Sequence, residues 1–157
     1  MIDAHTGLQC AELHGHFTPA ELAHRVARLA REYSNALVAV ERNNHGHAVL
    51  AHLVSTEKYE HLYERNGQLG WLTSAVTRPP MLENFAAMLA SHPELFFSSR
   101  LLRECRTFVR RADGSPAALS GAHDDCVLAM AIAHQVRSEL RGCSESGTVF
   151  DSLPIAR

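Results

Sequence analysis

Apolar residues recur along this chain with two different periods, and the switching between them predicts strands separated by helices. Leu22, Val26, Leu29 and Tyr33 follow at spacings of four, three and four, which is one face of a helix. Thr18-Pro19 ahead of them provides an N-cap and a proline at the first helical position, and Asn35 ends the run. Residues 36–40 are wholly apolar, as expected of a central strand covered on both faces. Upstream, residues 1–3 read as the end of a strand, His5-Thr6-Gly7 as a turn, and residues 8–13 as a second strand.

Downstream of residue 40, Glu41 ends the apolar run, and Arg42-Asn43-Asn44-His45-Gly46 makes a polar loop. A helix through Val49, Leu50 and Leu53 follows. Short strands around residues 61–63 and 71–73 flank a glycine-containing turn. Arg78-Pro79-Pro80 opens a helix carrying Leu82, Phe85, Met88 and Leu89, and residues 100–109 predict another. Asp113-Gly114 is a turn signal, and an alanine-rich helix spans residues 127–140. The whole predicts an α/β fold, a mixed sheet flanked by helices. It occupies residues 1–141, and residues 142–157 form a loosely held tail.

Bulk composition narrows the function classes. At 157 residues, with 46% hydrophobic and 20% charged positions, the chain has the makeup of one globular domain. Its formal net charge of -2 gives no global attraction to nucleic acid, so DNA contacts must be local. Cys10, Cys105, Cys126 and Cys143 form no C-x-x-C pair and read as reduced thiols in the cytoplasm. No apolar run is long enough to span a bilayer. The sole lysine, Lys58, is followed by Tyr59 and lacks the preceding glycines, so no P-loop of the G-x-x-x-x-G-K type is present.

Carboxylates stand at two informative places. Glu41 closes a buried strand, where open α/β sheets build their sites. Asp124 and Asp125 stand at the start of a long helix, where unpaired N–H groups and the dipole favour ionised acids. Ionised carboxylates brought together are the hard oxygen donors that Mg2+ or Mn2+ selects. The plain alternatives are a strand end meeting solvent for Glu41 and a helix cap for the aspartates. The eleven histidines, including His14, His16, His45 and His47, have no cysteine partner at zinc-ligand spacing and read as surface or packing residues.

The run Ala36-Leu37-Val38-Ala39-Val40-Glu41-Arg42-Asn43-Asn44-His45-Gly46 resembles the strand and loop around the second catalytic acid of phage terminase large subunits. Gly121-Ala122-His123-Asp124-Asp125 and its apolar helix resemble their third acidic motif. Between these, Leu62-Tyr63, Gly70-Trp71-Leu72-Thr73, Thr77-Arg78-Pro79 and residues 101–108 fall in the order that family shows. The resemblance implies a partial RNase H-like nuclease domain, an endonuclease that hydrolyses phosphodiester bonds with two Mg2+ or Mn2+ ions. Its partners would be double-stranded DNA, the small terminase subunit and the portal protein, in the cytoplasm of a phage- or prophage-bearing host. Glu41, Asp124 and Asp125 would be catalytic metal ligands, with Asp124 the first choice of the two aspartates. Asn44, His45, Arg78 and His123 would contact substrate.

The match lacks the family's first strand and its aspartate, so the expected sheet is incomplete at the N-terminus, and activity of the chain alone is in question. Asp3 falls in the strand-to-turn segment and reads as a turn cap. A second copy supplying the strand is a further route to a complete site. Two other readings stand beside the nuclease. One is a non-catalytic remnant that binds DNA or a partner through a basic stripe of Arg103, Arg106 and Arg110. The other is a different RNase H-like enzyme such as a junction resolvase.

Overall fold

The computed structural model describes residues 1–110 and 116–145. Five helices and two small antiparallel hairpins make a mixed α/β fold. Helix α1, Pro19–Glu32, begins with a complete capping box. Thr18 accepts from the Glu21 N–H, and the Glu21 carboxylate accepts from the Thr18 N–H in return. Its most buried residues are Ala23, Ala27 and Ala30, one position round from the Leu22, Val26, Leu29 and Tyr33 face. Small side chains let α1 lie close against α2, Gly46–Ser55, while Tyr33 stays exposed.

Residues 36–41 run between two cores. Ala36, Val38 and Val40 pack toward α1 and α2, whereas Leu37 and Ala39 pack toward the other helices. This is the period of two expected of extended chain. The second core is built from α3 (Arg78–Ser91), α4 (Ser99–Arg106) and α5 (Asp125–Glu145) around Trp71, Phe85, Leu101, Val127 and Ile132. The layer order is therefore helices, extended chain, helices.

Strand pairing of residues 36–41 is confined to one edge. Val38 bridges Leu62 and Glu41 bridges Trp71, both parallel. Val38 N–H donates to His61 O (3.0 Å), and Arg42 N–H donates to Trp71 O (2.8 Å). A hairpin of β1 (Glu64–Arg65) and β2 (Gln68–Leu69) carries the chain between those bridges. On the opposite edge, no hydrogen bond to the backbone N–H or C=O of Leu37, Ala39 or Glu41 occurs among the described residues. That edge is open, and residues 36–41 are only half-buried where a fully buried strand was expected.

The N-terminal hairpin is reduced to one antiparallel bridge, Ile2 to Gln9. Asp3 caps its turn as expected, accepting from both the N–H and the hydroxyl of Thr6 (2.6 and 2.7 Å). The helix expected over residues 100–109 ends at Arg106. Phe108–Arg110 instead form β3, paired with β4, Pro116–Ala118. Thr107, Phe108 and Val109 are β-branched or aromatic and favour the ladder over another helical turn. This breaks the expected arginine stripe: Arg103 and Arg106 share the exposed side of α4, but Arg110 lies on a strand. The Asp113-Gly114 turn falls outside the described residues. Helix α5 continues to Glu145, beyond the expected start of the tail at Gly142, and the rest of that tail is also outside them. Among the described residues no helix is long and apolar enough to cross a membrane.

Candidate acidic cleft

Glu41 is placed by its neighbours' backbone. Its own bridge to Trp71 and the Arg42–Trp71 bond hold it at the end of the paired segment. Asn43 then extends the pairing with its side chain: its amide donates to Thr73 O (2.7 Å) and its amide oxygen accepts from Thr73 N–H (3.2 Å). The first residue of α2, Gly46, comes so close that an added Cβ would lie 1.7 Å from Glu41 O. Gly70 closes the other side. It has φ +82, and a Cβ there would sit 2.6 Å from Val40 O.

Helix α5 brings the second acid. Its Asp125, Leu128, Ala129 and Ile132 lie on one face and, together with Ala39 and Glu41, line a cleft of about 150 Å3. Glu41 and Asp125 thus share one concavity, beside the open edge of residues 37–41. Asp124 is engaged differently. Its Oδ2 accepts from Arg78 Nη2 at 3.1 Å, with both side chains partly exposed. His123 is exposed, with Nδ1 3.9 Å from Asp125 Oδ2.

The start of α5 does not need either aspartate side chain as a cap. Glu104, a buried carboxylate on α4, accepts from the N–H groups of Cys126 (2.8 Å) and Val127 (3.1 Å). An acid satisfying helix-terminal donors also complements the dipole. Glu104 thereby leaves Asp125 available to the cleft.

Of the other expected site residues, Asn44 is exposed at φ 46 and His45 is the N-cap of α2, without a side-chain cap bond. Both serve the loop that presents Glu41. Among the described residues, Glu41, Asp124 and Asp125 do not form a group with all donor atoms within 4.8 Å. The trio that does is His14, Glu104 and Cys126. Glu104 went unnoticed in the sequence although it falls in phase with Leu101 and Cys105, on the inner side of α4. A carboxylate at an apolar phase of a helix was the available signal. Comparison with known protein families finds no match, and comparison with characterised proteins finds no relative.

Proposed function

We propose that the chain is a metal-dependent endonuclease domain of the RNase H-like, terminase type, with Glu41 and Asp125 as the acids that hold a Mg2+ or Mn2+ ion. The observation carrying this reading is that both acids line the same cleft, although 84 positions separate them (125 minus 41). Their oxygens are the hard donors such ions prefer. An ion bound there supplies Lewis acidity and an activated water for phosphodiester hydrolysis. Arg78, paired with Asp124, offers a guanidinium to a DNA phosphate. Preference between the aspartates shifts to Asp125, because Asp124 is neutralised by Arg78.

Two acids fit one ion better than two. The open edge at Leu37, Ala39 and Glu41 is where a further strand bearing a carboxylate would pair, and such a strand would complete a two-ion site. This supports the incomplete-sheet reading. The test is Mn2+-dependent cleavage of linear and branched duplex DNA, by the chain and by the chain extended with its in-frame upstream codons. Cleavage of linear duplex that drops more than about tenfold in Glu41→Gln and in Asp125→Asn is expected. Preference for branched DNA favours a resolvase instead. Inactivity of the extended protein, or cleavage unaltered in both variants, contradicts the proposal.

A further inference from the structure

A second group of ligating side chains shares no residue with the lining of the acidic cleft. We propose that His14, Glu104 and Cys126 form a binding site for a zinc-class divalent ion, with imidazole nitrogen, carboxylate oxygen and thiolate sulfur as ligands. Their donor atoms all lie within 4.8 Å of one another, a separation that small side-chain adjustments close to tetrahedral coordination. The set is chemically distinct from the acidic pair. A thiolate and an imidazole select Zn2+ over Mg2+ or Mn2+. Thiolate and carboxylate together also balance a dication, leaving a fourth position for water.

Glu104 and Cys126 stand on helices, and the segment leading to His14 is anchored upstream. Glu104 is buried, and its Oε2 is fixed by the Cys126 and Val127 N–H groups. A carboxylate keeps lone pairs after two such bonds, so capping and ligation are compatible. The chain ahead of His14 is anchored at Gln9 and Glu12. Gln9 N–H donates to Leu95 O, the Gln9 amide oxygen accepts from Phe97 and Ser98 N–H, and Glu12 pairs with Arg100. Such outer contacts orient ligands before an ion arrives. The ion would join three places remote in sequence: the coil before α1, helix α4 and the first turn of α5.

The proton to be accounted for is that of the Cys126 thiol, which an ordinary cysteine carries near neutral pH. Ligation replaces the S–H bond with a metal–sulfur bond and releases the proton to buffer. No redox step is involved.

The probe is Co2+ added to the reduced full chain near neutral pH. One equivalent should produce a thiolate-to-cobalt charge-transfer band in the near ultraviolet, with about one proton released per ion, and Zn2+ should displace it. Cys126→Ser should abolish the band, while Cys105→Ser and the Glu41→Gln/Asp125→Asn pair should keep it. His14 is exposed, so His14→Gln leaves the fold intact and should weaken affinity by more than about tenfold. Absence of the band in the parent, its persistence in Cys126→Ser, or unchanged affinity in His14→Gln each overturns the site. None of these readouts depends on nuclease activity.

Discussion

Gly46 lies against the backbone of Glu41 so closely that a β-carbon on it would stand 1.7 Å from the Glu41 carbonyl oxygen and 2.8 Å from its carbonyl carbon. The turn from the paired segment into α2 therefore exists only with glycine at this position. Gly46→Ala must push the helix away from the segment that carries the acid. Its cost should be about 3 kcal/mol, in the range for overpacked sites, read from the urea midpoint. Gly142→Ala is the control. Its Cβ meets nothing within 4 Å, and in α5 alanine should stabilise by about 0.5–1 kcal/mol.

Glu104, on another helix, satisfies two N–H groups in the first turn of α5. Glu104→Leu leaves two backbone N–H groups without their carboxylate and should cost about 3 kcal/mol. Glu104→Gln keeps an acceptor oxygen and should cost less than half as much. Equal losses in thermal denaturation for the two variants would remove the capping role.

His134 should make the fold acid-sensitive. It is buried against Phe85 and Phe96, and among the described residues neither ring nitrogen has a partner. Burial first, then Arg137 and the Met1 ammonium, lower its pKa from 6.5 to about 4. The unfolded chain takes up this proton near pH 6.5 while the folded one does not. Stability from this residue is thus complete above pH 6.5, falls as pH drops toward 4, and changes no further below that. His134→Phe should flatten that slope between pH 7 and 4 in urea titrations, and an unchanged slope would assign the acid sensitivity elsewhere.

Arg78 and Asp124 are each partly exposed, so Arg78→Gln should lower stability by less than about 1 kcal/mol. Its larger effect belongs to the cleft. Releasing Asp124 from its ion pair should make a further carboxylate available and strengthen Mn2+ binding severalfold, as read by titration calorimetry. Weaker binding would show that the guanidinium supports the ion site.

Local signals in the sequence were faithful where chemistry and geometry coincide. Thr18-Pro19 marks the start of α1, and Arg78-Pro79-Pro80 marks that of α3. The apolar run at 36–40 correctly places chain between two helical layers. It does not reveal that only one edge is paired, because side-chain pattern reports faces and is silent on edges. The site was half legible. Glu41 and Asp125 stand out as acids at element ends, whereas the division of labour between Asp124 and Asp125 depends on where Arg78 reaches. Asn43 makes the bonds that hold the Glu41 loop, while Asn44, expected to contact substrate, is a turn residue at positive φ. The His14, Glu104 and Cys126 group has no sequence spacing at all, since tertiary packing alone brings it together.

The most direct test is Mn2+ binding by the chain, followed by electron paramagnetic resonance of the free ion. The account predicts that the parent and the His14→Gln variant sequester one ion, and that the Glu41→Gln/Asp125→Asn pair loses it while keeping its fold. Undiminished sequestration by that pair would contradict a metal site in the cleft.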